Sequence, residues 1–282
     1  MSQRLATVLS VRIGTANLLH GRSLVDGLVD TDRMAQAIAD LATSVIGIQE
    51  VDRNQARSGN TDQTAAIAER IAAGGAESVA YRFAPAIIGE PGARWTAATG
   101  TDPVTGHDTG NARPTAAAYG VGMISVLPVE SWHVVRLPAA PVRSPILLPG
   151  TRRPILLPDE PRVALIAVMC PGVAPFRTVA TTHLSFVPGW NVRQFRMVRN
   201  ALATFPGPRL LLGDLNLPSA VVSRTSGRWE ALAHSATYPS ANPRIQFDHV
   251  LTDSPTVGRD ATCRSVAMTI SDHRALLVDL RP

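Results

Sequence analysis

The sequence contains no lysine, and all 27 basic residues are arginine. Against 22 acidic residues this leaves a net charge of +5 and a pI near 10.2. That balance favours polyanionic or phosphate-bearing partners without naming one. A GC-rich genome explains missing lysine more simply than a selected arginine surface does. Cysteine is almost as scarce: Cys170 and Cys263 stand far apart in unrelated segments. They offer no metal-ligand spacing and no disulfide framework, so a reducing cytoplasm is the expected compartment. No apolar run is long enough to cross a bilayer, and Met1–Val11 lacks the apolar stretch of a secretion signal. The expectation is a soluble cytoplasmic protein with no stable membrane insertion.

What is present is apolar material, 45% of 282 residues, enough for one large or two modest domains. Residues 209–212 (Arg-Leu-Leu-Leu) follow a Pro-Gly-Pro break and read as a short strand buried on both faces. The strand runs into Gly213, Asp214, Leu215 and Asn216. Alternation along an extended chain would turn Asp214 and Asn216 to one side, a pairing suited to a phosphate, a water or a hard cation. An ordinary turn is the alternative, since Gly, Asp and Asn are common turn residues.

Elsewhere the chain alternates strands and helices. A strand opens it over 12–21, and a helix capped by Asp30 or Thr31 runs through Leu41 with Met34, Ile38 and Leu41 on one face. Another strand occupies 45–50, and a second helix spans about 61–73, stopped by Gly74 and Gly75. Strands are expected over 119–126, 130–137, 163–170, 177–184, 246–252, 264–270 and 275–280, and a helix over 191–205. On that helix Arg193, Arg196 and Arg199 form what is ordinarily a solvated face. Residues 85–118 show no clear period and read mainly as a long loop, either a lid or a substrate-facing excursion. Residues 138–161, with Arg143, Arg152 and Arg153, read as a proline-dense loop. Strands flank this second stretch, so it is a loop inside a domain, and residues 1–282 are read as one domain.

The strands share an ending. Asn17, Glu50, His183, Asp214, Asn216, Asp248, Asp272 and His273 all stand at or near the end of an apolar run. Repeated across the chain, this punctuation points to one polar site at an edge of stacked sheets. Glu50 is then either solvated or held on a cation.

The stretches Thr15–Gly21, Ile48–Asp52, Thr182–Ser185, Gly213–Asn216, Phe247–Val250 and Ser271–Arg274, in that order, resemble the endonuclease/exonuclease/phosphatase superfamily related to pancreatic-type deoxyribonuclease. In Tyr119–Val126 a valine stands where the family often has arginine. The resemblance implies an α/β fold, a four-layer α/β/β/α sandwich with two mixed β-sheets packed face to face. It implies hydrolysis of a phosphate ester with a divalent metal, usually Mg²⁺, with Mn²⁺ as a substitute. Carried over residue by residue, Asn17, Glu50 and Asp272 fall on the metal side. His183, Asp214, Asn216, Asp248 and His273 form the catalytic set, and Asn17, His183, Asn216 and His273 hold the phosphate. Asp248 orients His273. Asp214 aligns or deprotonates the attacking water, and His183 protonates the leaving oxygen or binds phosphate. Asp52, His20 and His249 lie near the set, and Trp95, Trp190 and Trp229 are candidate groove residues.

The expected function is a metal-dependent phosphodiesterase acting on nucleic acid. A phosphatase or phospholipase-like hydrolase on the same scaffold is the main rival. A non-catalytic binding protein would have lost catalytic residues, and none is lost here.

Overall fold

Two mixed β-sheets face each other across an apolar layer. The computed structural model describes residues 10–100, 102, 104–106, 115–146 and 155–281. The first sheet is eight-stranded. It contains β1 (Val11–Asn17), β2 (Val45–Arg53), β3 (Ala80–Gly89), β4 (Trp95–Ala97), β5 (Thr105–Gly106), β6 (Ala118–Ser125), β15 (Thr262–Val266) and β16 (Ala275–Leu280). Its order is β15-β16-β1-β2-β6-β3-β4, with β5 also on β3. The six-stranded second sheet runs β13-β14-β12-β11-β10-β7. Its strands are β7 (Val129–Leu137), β10 (Arg162–Met169), β11 (Thr178–His183), β12 (Arg209–Asp214), β13 (Glu230–Ala231) and β14 (Asp248–Thr252). A separate hairpin joins β8 (Arg143–Ile146) to β9 (Ile155–Pro158).

The inter-sheet layer takes Ile13, Val45 and Met123 from one side and Leu165, Val179, Leu210 and Leu212 from the other. Helices α1 (Thr31–Ala39) and α2 (Gln63–Ala73) cover the outer face of the first sheet through Met34, Ile38 and Ile67. On the outer face of the second, α3 (Trp190–Leu202) and α4 (Ser219–Thr225) pack through Phe195, Val198, Leu202 and Val222. The order of layers is helix, sheet, sheet, helix, as the resemblance implies. Asp30 caps α1 by accepting from Arg33 N, and Asp62 caps α2 by accepting from Ala65 N. No described helix is long and apolar enough to cross a membrane. Both cysteines are free.

Both long loops expected from sequence contain strands. Residues 85–89 continue β3, and β4 and β5 pair back onto it. Pro85 misleads because it sits where the β3–β6 register shifts, a place in a sheet that tolerates a missing N–H. The second stretch carries the β8–β9 hairpin. Residues 107–114 and 147–154, with Arg152 and Arg153, lie outside the described residues. Between β12 and β14 the chain forms α4 and β13.

The sheets come close together where Gly47 of β2 meets Thr181 of β11. A Cβ at Gly47 would stand 2.4 Å from Thr181 Oγ1. Beside it Gln49 donates to Thr181 Oγ1 at 2.9 Å and bonds Thr15, a buried polar column linking the sheets. Backbone crowding is tighter still at Gly213, where φ is +138° and a Cβ would fall 1.9 Å from Thr182 O. Gly213→Ala should therefore cost about 3 kcal/mol or more. Gly75→Ala, at φ +97° with nothing within 4 Å, should cost about 1 kcal/mol. Urea denaturation of both variants checks the contrast, and equal midpoints would show that the Thr182 carbonyl yields.

Candidate active site

Each sheet has one parallel pair at its middle, β1 with β2 and β11 with β12, and these pairs stack on each other. Their carboxyl ends open on the same rim, which gathers Asn17, Glu50, His183 and Asp214. The antiparallel neighbours bring the rest. Asp248 enters β14 directly opposite Asp214, and Asp272 and His273 immediately precede β16. Glu50, His183, Asp214, Asn216, Asp272 and His273 line one cavity of about 330 Å³. Asn17 and Asp248 are buried beneath it, bonded to members of that lining.

Glu50 reaches the cavity through a β-bulge. Gln49 pairs with Val121 and Val51 with Gly120, leaving Glu50 as the extra residue at φ +56°. Without the bulge, Gln49 and Glu50 would face opposite sides of the sheet. With it, both reach toward the second sheet. Asn17 Nδ2 donates to Glu50 Oε1 at 2.9 Å and to Asp214 Oδ2 at 3.0 Å. Its Oδ1 accepts from Leu19 N, so the carboxamide ties two carboxylates together across the sheets.

Asp214 and Asn216 converge by a different route from strand alternation. Asn216 has φ +49°, and its backbone N–H donates to Asp214 Oδ1 at 2.8 Å, an aspartate-centred turn. Asn216 Nδ2 donates to Leu184 O at 2.9 Å and contacts His183 Nε2 at 3.1 Å. A carbonyl only accepts, so Leu184 fixes the amide orientation. The His183 Nε2 must then accept as well, which puts its proton on Nδ1. That Nδ1 stands 3.9 Å from Glu50 Oε1. Burial, with Arg162 and His273 nearby, holds the His183 pKa well below the usual histidine value, so the ring is neutral.

His273 is the opposite case. Its Nδ1 lies 2.8 Å from Asp248 Oδ2 and its Nε2 3.8 Å from Asp214 Oδ2. Burial alone would lower its pKa, but the charge and hydrogen bond of Asp248, reinforced by Asp214 and Asp272, raise it to about 10. Burial, with Asp248 adding to it, raises Asp214 to about 7, against the pull of His273. Glu50 is raised by burial and by Asp272, in spite of the Asn17 hydrogen bond. Among the described residues, Asp214, Asp248 and His273 offer potential ligand atoms within 4.8 Å of one another.

Several residues expected near the catalytic set serve elsewhere. Asp52 is buried and takes two hydrogen bonds from Arg57. His249 is buried, with Nε2 on Leu217 O at 2.8 Å. The His20 carbonyl accepts from Gln63, and burial, with Arg57, lowers its ring pKa to about 4. None of Trp95, Trp190 and Trp229 lines this cavity. Trp190 donates to Pro138 O, and Trp229 packs on the outer face of the second sheet. The cavity instead takes Tyr119, Arg162, Phe186, Tyr238 and Phe247, which a reading of strand ends misses. Arg162 begins β10 and Tyr119 is the second residue of β6, strands antiparallel to β11 and β2, so they enter at the rim where those strands leave. An arginine at the head of an apolar run is the signal that could have found the first of them.

The model of the Endonuclease/Exonuclease/phosphatase family matches residues 14–273. No curated protein matches the chain. Among solved structures, an endonuclease/exonuclease/phosphatase from Beutenbergia cavernae superposes with a TM-score of 0.61 at 20% identity, covering 96% of this chain and 71% of that one. D. rerio TDP2 complexed with a single-strand DNA product gives 0.55 at 16% identity, covering 97% and 99%. A Bacteroides thetaiotaomicron mannosyl-6-phosphatase gives 0.56 at 13% identity, covering 97% and 100%. These likenesses carry the fold. With the family match over nearly the whole chain, the protein belongs to the endonuclease/exonuclease/phosphatase family of phosphoester hydrolases.

Proposed function

We propose that this chain is a divalent-metal-dependent phosphodiesterase that hydrolyses nucleic acid by in-line attack of water, with residues 1–282 acting as one domain. The observation that carries this reading is the convergence of Glu50, Asp214, Asp272, His183 and His273 on one cavity, with Asp248 behind them. The aromatic rim favours a nucleic acid. Tyr238 stands 4.9 Å from the His273 ring and 5.7 Å from Phe247, centroid to centroid, a surface on which a base can stack. The fold relative solved with single-strand DNA product points the same way.

The residues fit a hard cation. Carboxylates crowd a buried site, Glu50 and Asp214 resist ionisation there, and Asp248 Oδ1 is buried without a hydrogen-bond partner. Oxygen donors of this kind suit Mg²⁺, with Mn²⁺ as substitute. Glu50 and Asp272 would hold it, with Asn17 fixing the Glu50 carboxylate. Once bound, the ion supplies Lewis-acid polarisation of the phosphoryl group and neutralises the leaving oxygen.

The protein groups divide the remaining work by charge. Asp214, with a pKa near neutrality, accepts the proton of the attacking water. His273, held protonated by Asp248, stabilises negative charge on a phosphoryl oxygen from Nε2. His183 presents its Nδ1–H to the phosphate, and Asn216 keeps that tautomer in place. A second reading, a phosphatase or phospholipase-like hydrolase acting on a small phosphate ester, draws on the modest cavity volume and on the mannosyl-6-phosphatase fold relative.

Purified protein with Mg²⁺ should cleave single-stranded DNA, plasmid or RNA in a panel that also holds a phosphoinositide, sphingomyelin and a bis-aryl phosphate. Turnover confined to phosphomonoesters would select the second reading. Glu50→Gln should raise the Mg²⁺ concentration for half-maximal activity about tenfold or more and shrink the Mg²⁺-induced rise in melting temperature. An unchanged metal requirement removes Glu50 from the ligand set.

The pH dependence of the metal-free protein follows from His273. Its pKa rises from 6.5 unfolded to about 10 folded, so its stabilisation is complete below pH 6.5 and is lost as pH climbs through about 10. Stability should therefore fall across that window. Asp248→Asn should flatten the fall and return the His273 NMR titration toward 6.5 or below. A variant that titrates like wild type would remove Asp248 as the cause.

A further inference from the structure

Arg162 is the one arginine among the described residues that line the cavity, and none of the steps assigned to the other side chains uses it. Its side chain is 7% exposed, yet its Nε is buried with no hydrogen-bond partner. The ion pair with Asp159 is open at 3.9 Å. That Asp159 Oδ1 is itself without a hydrogen bond, while Oδ2 is taken by Ala140 N and Ser185 Oγ. Glu160, also in the lining, turns its Oε1 to Gly92 N at 3.1 Å. Arg57, near Tyr119, is already engaged by Asp52. The cavity thus contains a desolvated guanidinium whose internal partners are used or out of hydrogen-bond reach. Such a group is costly to bury unless an anion completes it, and its planar fork matches phosphate oxygens.

Its position divides the cavity. Arg162 acts electrostatically on Glu50, His183 and Tyr119, whereas the aromatic pair Tyr238 and Phe247 packs on the His273 side. The Tyr119 hydroxyl, kept protonated chiefly by burial, stands on the arginine side as a neutral donor.

We propose that Arg162 is the substrate anchor of this site, binding an oxyanion of a phosphate group on the Glu50 and Tyr119 side. The proposal rests on the phosphoester reading above and deepens it. The anchored phosphate is either the reacting group or its neighbour along the chain. Asp159 stands 3.9 Å from the guanidinium, an ion pair beyond hydrogen-bond reach.

The test measures binding rather than turnover, so it separates from the substrate panel. Inorganic phosphate and a 5′-phosphorylated dinucleotide are titrated into Mg²⁺-loaded wild type, Arg162→Gln and Arg162→Lys by calorimetry. Losing a charge-assisted bond should weaken binding about 10- to 100-fold in Arg162→Gln, with part of the affinity recovered in Arg162→Lys. The free protein's melting temperature, followed alongside, separates any folding cost of leaving the buried Asp159 carboxylate without its ion pair from the loss of ligand affinity. Weakening with both ligands assigns the reacting phosphate, and weakening with the dinucleotide alone assigns its neighbour. If both ligands bind Arg162→Gln within twofold of wild type, the anchor does not exist. Should that variant fail to fold, Arg162→Lys decides alone: it keeps the charge and loses the fork, and unaltered affinity for both ligands overturns the proposal.

Discussion

The contact on which this site depends is the carboxamide of Asn17. It comes from the end of β1 and donates to Glu50 in its own sheet and to Asp214 in the other. Two neighbouring carboxylates repel, and a neutral group with two N–H donors holds them near each other without adding charge. The backbone carbonyl of the same residue accepts from Ser271 Oγ at 2.7 Å, and that hydroxyl also receives His273 N. One residue therefore sets the spacing of a proposed metal ligand, a proposed base and the segment carrying the histidine.

Around that tie the electrostatics are unequal. Two histidines share one pocket, yet His183 is neutral and His273 is charged. The difference lies in their neighbours. His183 has a buried arginine nearby and an amide donor on Nε2, whereas His273 has Asp248 at hydrogen-bond distance. The carboxylates split as well, since Asp248 is committed to an imidazolium while Asp214 and Glu50 share the neutral carboxamide of Asn17. Like groups driven to unlike states are what acid–base chemistry at a phosphate requires.

Much of this is legible in the chain. Apolar runs ending in Asn17, Glu50, His183 and Asp214 betray strands leaving the sheets at one rim, and that rule needs only period-two patterning. It fails for strands that enter there, which is why Arg162 and Tyr119 escape it: each stands at the start of a strand rather than at its end. Alternation places Asn216 beside Asp214 for the wrong reason, because a left-handed residue and an aspartate turn do the work instead. The Glu50 bulge leaves no compositional trace, since no glycine marks it. Pro85 suggests a loop because a register shift, invisible in sequence, absorbs its missing donor.

That bulge has a consequence for how the chain tolerates change in length. β2 needs one residue more than its partner β6 to present Gln49 and Glu50 on the same side. Deleting a single residue there would restore unbroken pairing and relieve the left-handed backbone, leaving a strand better formed by local criteria. It would also turn the carboxylate out toward the helices. The spacing between the buried column and the rim cannot drift. A count of residues, not only their identity, is thus kept by the chemistry of the site.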